Sequence, residues 1–170
     1  QTVALMRAMV DSGEADHLVA ERVWQEVAKG LMESRPSRMF DVLRECGALA
    51  RLFPEIDRPF GVPQRADYHP EVDTGVHVMM ALDYAASQGY ALPVRFAVLT
   101  HDLGKGLTPA TDLPRHPGHE QRSVALVDAL CARLRTPAEC RDLARLVARY
   151  HGEIRRGPQL GAATVVRLLE

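Results

Sequence analysis

The sequence holds only three cysteines, Cys46, Cys131 and Cys140, and no CxxC pair. An odd number of cysteines with no paired motif argues against a disulfide framework or a zinc ribbon and suits a reducing cytosol. No apolar run reaches 18 residues and no signal-peptide pattern is present. A membrane-spanning helix and a secretory leader are therefore not expected, and the expected location is cytoplasmic. Net charge is nearly absent: 21 Lys and Arg oppose 22 Asp and Glu, giving −1 at pH 7. That excludes a general electrostatic pull toward nucleic acid, so any RNA contact must come from local patches. Residues 1–72 carry 9 basic and 12 acidic side chains, and residues 73–170 carry 12 and 10. No segment alternates as a half-buried strand would, and no internal repeat is visible.

What is present is the profile of a soluble globular chain, with 46% hydrophobic and 25% charged residues over 170 positions. That length suffices for one sizeable core or two small helical units. The chain opens at Gln1 in apolar, helix-like sequence and is expected to be cut from a longer protein.

Nearly every segment reads as helix. From Glu14 to Met32, Leu18, Val19, Val23, Val27, Ala28 and Leu31 form a helical stripe. A short helix after Pro36 carries Met39, Phe40, Leu43 and Cys46, and a further turn or two spans Ala48 to Phe53. Residues 54–72 hold four prolines and Gly61, which predicts a loop and the best domain boundary. Asp73 to Ser87 reads as helix, as does Pro93 to Leu103, which Gly104 is expected to end. A Pro-rich loop over 106–117 precedes a long helix from His119 to Arg135. Thr136, Pro137 and Glu139 form a capping-box signature for a helix running to Tyr150, with Gly152 as its stop. A last helix is expected over Ala162 to Leu169. The fold class is all-α.

Six of the seven histidines lie between residues 69 and 151. His77 sits on one expected helix, His101 and Asp102 end the next, His119 opens a third and His151 ends a fourth. A bundle could bring these imidazoles together. Adjacent side chains on a helix diverge by about 100°, so His101 and Asp102 can share a metal only near a helix end. The mixed imidazole and carboxylate set suits a divalent transition metal, whereas Mg prefers more oxygen. Such an ion can acidify a water molecule to a pKa near ~7 and neutralise phosphoryl charge. Gly104 and Gly106 permit a tight turn, and Lys105 offers an ammonium to a phosphate.

The stretches "GVHVMMALDYAA", "AVLTHDLGKG" and "HPGHEQRSVALVDAL" resemble the HD superfamily of metal-dependent phosphohydrolases. That superfamily is named for a His, a His-Asp pair and a distal Asp. His77, His101 and Asp102 match the first three. No Asp stands roughly 50 to 65 residues after the pair; the last is Asp142, and His151 is nearest to the expected place. The segments "ERVWQEVAKGLMESRPSRMFDVLRECGALARLFPEIDRPFGVP" and "YHPEVDTGVHVMMALDYAA" are in turn similar to bacterial CCA-adding tRNA nucleotidyltransferases of the multifunctional type.

The resemblance implies a helical tRNA-binding neck and body segment at 1–72 and an HD phosphohydrolase domain, a helical bundle, at 73–170. It implies 2′,3′-cyclic phosphodiesterase, 2′-nucleotidase and phosphatase activities. It implies a nucleotidyltransferase head using Mg that would lie before Gln1. On this reading His77, His101, Asp102 and His151 bind the metal, with His119 as the other candidate for the fourth place. Ni, Co or Mn is expected ahead of Mg. His101, Asp102 and Lys105 form the catalytic set, and Lys105, His119 and Arg122 face the substrate. Partners are tRNA and a nucleotide phosphoester, no membrane, with the chain a monomer or homodimer.

His116 reads as a loop histidine and His69 as linker. Trp24 reads as core. Arg141, Arg145 and Arg149 read as a solvated face, or as an RNA-facing ridge, and Arg35, Arg38 and Arg44 as a modest basic cluster. Two rival readings remain: an HD fold that has lost its metal and serves as a tRNA-binding scaffold, and an HD hydrolase of free nucleotides.

Overall fold

The structure, a computed structural model, describes residues 2–67 and 70–155. Among them no strand forms, and the extended segments meet only at an antiparallel bridge between Pro63 and Asp73. The α-helices are α1 (Thr2–Asp11), α2 (Ala20–Leu31), α3 (Ser37–Glu45), α4 (Ala48–Leu52) and α5 (Pro54–Asp57), followed by α6 (Thr74–Ser87), α7 (Leu92–Thr100), α8 (His119–Leu134) and α9 (Ala138–Arg155). Short 3-10 turns occupy Glu14–His17, Leu103–Leu107 and Ala110–Asp112. The fold is all-α. The helix expected over 162–169 and the linker histidine His69 lie outside the described residues.

α7 is the central element. It packs against α6 and α9, α8 packs against α9, and α2 lies across α7 and α8. Its Phe96 and Leu99 are each 1% exposed, and Phe96 meets the Trp24 ring edge to face at 5.2 Å. Trp24 is thus core, as its place on the α2 stripe predicts. The core is continuous from Trp24, Leu31 and Phe40 to Val127, Leu130 and Ala148.

Polar groups lock the helix ends. Arg95 on α7 is 5% exposed. It donates to Tyr90 O at 2.7 Å, Leu31 O at 2.8 Å and Glu33 O at 2.9 Å. A cation thereby serves carbonyls that the end of α2 leaves without helical partners. Asp83 on α6 accepts from Ser37 N at 3.0 Å and Ser37 Oγ at 2.7 Å, capping α3 from a neighbouring helix.

Several boundaries differ from expectation. Glu14–Met32 is not one helix, because Leu18 is extended and α2 starts only at Ala20. The Pro-rich segment 54–72 is ordered where described: it contains α5, its Gln64 is 2% exposed, and Glu55 pairs with Arg133 of α8 at 2.6 Å. Gly104 does not end α7, which stops at Thr100, with the Thr100 hydroxyl donating to Phe96 O at 2.9 Å. A Cβ at Gly104 would lie 2.2 Å from His119 O and 2.6 Å from Ser123 N. The glycine therefore permits close contact with α8. Gly152 does not stop α9; a Cβ there would lie 3.1 Å from Glu120 Oε1. The Thr136 hydroxyl makes no bond to the first amides of α9, so the capping box does not form. No helix among the described residues is long and apolar enough to cross a membrane.

Candidate metal centre

α7 ends immediately before His101, and Asp102 leaves helical geometry at φ −109°, ψ 13°. This departure lets adjacent side chains share one point: His101 Nε2 lies 3.0 Å from Asp102 Oδ2. The turn that follows is pinned to α8. Gly104 N donates to Ser123 Oγ at 2.8 Å, and Arg122 Nε donates to Gly104 O at 3.1 Å. These contacts carry His119, the first residue of α8, to the carboxylate, where its Nε2 lies 3.5 Å from Asp102 Oδ1. α9 brings His151, whose Nε2 lies 3.4 Å from the same oxygen and 3.3 Å from His119 Nε2. α6 supplies His77, its ring 6.0 Å from that of His101.

Two groups result, and Asp102 belongs to both. The ligand atoms of His77, His101 and Asp102 lie within 4.8 Å of one another, as do those of Asp102, His119 and His151. His151 groups with His119 on Asp102 Oδ1, because α9 packs closely on α8, and its ring also lies 5.0 Å from that of His101.

Asp102 is 1% exposed, and its Oδ1 makes no hydrogen bond. The nitrogens facing that oxygen are acceptors too. His119 Nδ1 lies 2.8 Å from His116 O and His151 Nδ1 lies 3.1 Å from Val147 O. A carbonyl can only accept, so Nδ1 carries the proton and a neutral ring keeps its lone pair on Nε2. His101 likewise places Nδ1 against Val98 O at 2.7 Å, and without a metal its Nε2, 3.0 Å from Asp102 Oδ2, is placed to donate to that carboxylate. Lone pairs of two imidazoles and one carboxylate thus converge, an arrangement that repels itself unless a cation or a proton lies between them. The donor set therefore fits a divalent metal with nitrogen and oxygen ligands.

Burial raises the Asp102 pKa, but without a metal the charge and hydrogen bond of His101, with the charge of Lys105, hold it well below the carboxylate range. Burial likewise opposes charge on His101, yet Asp102 and Val98 O raise its pKa overall. Burial lowers His77 and His119, against the pull of Asp102.

Lys105 departs from expectation. It is 6% exposed, with Nζ 2.8 Å from Asp102 Oδ2 and 2.9 Å from Gln64 Oε1. Its ammonium is buried against the carboxylate as its counter-charge. Arg122 is also committed, donating to Gly104 O, to Pro117 O at 2.8 Å and to Thr108 Oγ1 at 3.2 Å. Its donors hold the turn. His116 is more than a loop residue: its ring bonds Thr108 Oγ1 at 2.8 Å and Pro63 O at 3.1 Å. Arg141 and Arg145 pair with Asp142 and Asp128, and Arg44 lies over the Phe60 ring at 4.3 Å. Sequence reasoning missed Gln64 and Glu71. Glu71 Oε1 lies 2.5 Å from His77 Nδ1, and no motif marks either residue.

Residues 74–169 match the HD domain, and residues 1–59 match the probable RNA and SrmB-binding site of polymerase A. A multifunctional CCA protein of Burkholderia vietnamiensis is 72% identical over 170 residues, all of this chain and 41% of the relative. One from Burkholderia mallei is 73% identical over 169 residues, 99% of this chain and 41% of the relative. One from Burkholderia ambifaria is 72% identical over the same coverage. The chain thus spans about 41% of the length of the curated relatives it matches. No solved structure matches it.

Proposed function

The chain belongs to the HD domain family, and on that premise we propose that it is a metal-dependent phosphohydrolase acting at a nucleotide or RNA 2′/3′ end. The observation that carries this reading is the buried, unbonded Oδ1 of Asp102 facing the Nε2 atoms of His119 and His151. His77, His101 and Asp102 would hold the ion, with His119 and His151 offering a second position on the far oxygen of the same carboxylate. A divalent cation there supplies positive charge to phosphoryl oxygens and acidity to a water molecule. The chain's own residues do the rest. Val98, His116 and Val147 carbonyls fix each ring with its lone pair inward. Lys105 keeps Asp102 ionised. Three or four imidazoles favour Ni, Co or Zn over Mg.

Residues 1–72 form, on this reading, the tRNA-binding segment, and residues 73–170 the hydrolase domain. The likeness to multifunctional CCA proteins supports tRNA as the partner. The longer protein would add CCA with a Mg-dependent head. The chain would work in the cytoplasm.

The test is hydrolysis of 2′,3′-cyclic and 2′-linear nucleotides by the purified chain with Ni, Co, Mn and Mg in turn. Turnover with a transition metal exceeding that with Mg supports the proposal. No turnover, together with no metal retained after chelator-free purification, supports the tRNA-binding scaffold instead. Turnover of free signalling nucleotides alone supports the free-nucleotide hydrolase.

A further inference from the structure

The segment before α6 is folded into a strap. Gln64 N donates to Val72 O at 2.7 Å, and Thr74 N and Oγ1 both donate to Val62 O, at 3.0 and 2.9 Å. Asp73 caps α6 by accepting from Val76 N at 2.9 Å, and its other oxygen accepts from Gly61 N at 2.7 Å. Val72, between Glu71 and the cap, has φ +59°. A β-branched residue in that region is a true outlier, held there only when its surroundings demand it. The turn directs Glu71 onto the metal centre. Glu71 Oε1 lies 2.5 Å from His77 Nδ1, and Gln64 Nε2 makes a long contact of 3.4 Å with the same oxygen. Gln64 Oε1 in turn accepts from Lys105 Nζ at 2.9 Å, and Lys105 reaches Asp102. A hydrogen-bonded chain thus runs from His77 through the strap to Asp102.

His101, His119 and His151 each place Nδ1 against a backbone carbonyl. His77 instead places Nδ1 against a carboxylate from outside its own helix. We propose that Glu71 is a positioning residue of the metal centre, holding the His77 ring with Nδ1 protonated so that the lone pair stays on Nε2. The inference rests on the metal-binding reading above. Outer-layer carboxylates of this kind orient imidazole ligands and raise their basicity, and their loss costs about 10–100-fold in metal affinity. The strained turn at Val72 then has a purpose: it places a carboxylate that the helix itself cannot supply.

The test is cobalt(II) binding to the 170-residue chain, followed by calorimetry and by the visible spectrum. Glu71→Ala is expected to weaken binding about 10–100-fold. Glu71→Gln keeps an acceptor and is expected to retain most of the affinity. In a His77→Ala background, Glu71→Ala is expected to have no further effect, since the ring it positions is gone. Long-range proton–nitrogen correlation spectra of the metal-free wild type are expected to show His77 protonated at Nδ1, an arm that needs no variant to fold. Cobalt binding by Glu71→Ala equal to wild type, an undiminished effect in the His77→Ala background, or an Nε2-protonated His77 each overturns the proposal. Wild-type protein that binds no cobalt overturns the metal reading itself.

Discussion

Replacing Asp102 by alanine removes more than a ligand. Lys105 lies behind Asp102 with its side chain 8% exposed, 2.8 Å from the carboxylate and 2.9 Å from the Gln64 amide oxygen. Without Asp102 the ammonium keeps one neutral acceptor and no counter-charge. Breaking a buried pair in this way costs about 3–5 kcal/mol. A domain of this size shifts by about 2–4 °C per kcal/mol, so the metal-free Asp102→Ala variant is expected to melt about 6–20 °C below wild type. A variant that lost only a metal ligand would melt in EDTA as wild type does. Lys105→Met added to Asp102→Ala removes the stranded charge and is expected to recover much of the loss. Urea and thermal unfolding followed by circular dichroism at pH 7 in EDTA measure all the states. The dependence on pH has a definite sign. Asp102 has a depressed folded pKa, so its contribution is complete above the unfolded value near ~3.9 and fades as pH falls through the folded one. The gap between wild type and variant should therefore narrow below about pH 4. The reasoning is refuted if Asp102→Ala unfolds within about 1 kcal/mol of wild type, or if Lys105→Met worsens it additively.

Other consequences are equally open to measurement. Gly104→Ala drives a methyl group against His119 O and Ser123 N; about 3 kcal/mol of overpacking and a weakened cobalt site are expected, by urea unfolding and calorimetry. Arg95→Met strands the carbonyls of Leu31, Glu33 and Tyr90 and should cost about 3 kcal/mol, with cobalt affinity per folded molecule unchanged. His151→Asp should shift metal preference toward Mn or Mg in calorimetric titration, whereas His151→Ala with full affinity would remove His151 from the ligand set. Cobalt affinity should fall as pH drops below about 6.5, because ligating imidazoles must lose their protons. The raised pKa of His101 makes that ring the first to protonate as pH falls, while the lowered pKa values of His77 and His119 keep those rings competent to lower pH than free imidazole.

The sequence alone determined the class of the fold and the residue types gathered at the candidate site. Periodic apolar residues with no strand-like alternation made every long segment helical, because a 3.6-residue period is a local property of the chain. His77, His101 and Asp102 could be named because they lie at the ends and first turns of those helices and match a known motif. What tertiary structure decided was where each polar atom points. Lys105 reads as a phosphate-binding ammonium, yet packing of the 103–107 turn on α8 buries it behind Asp102. His151 reads as a substitute for a missing aspartate, and the α8–α9 pairing decides that it stands beside His119 as well as near His101. Gly104 and Gly152 read as helix stops, yet both are points of close approach between elements. The Pro-rich segment reads as a linker, yet a left-handed turn at Val72 folds it back so that Glu71 reaches His77. Secondary structure follows from neighbours in sequence. The direction of a buried side chain depends on contacts 20 to 80 residues away, such as Gln64 with Lys105 and Arg133 with Glu55, and no local pattern carries that information.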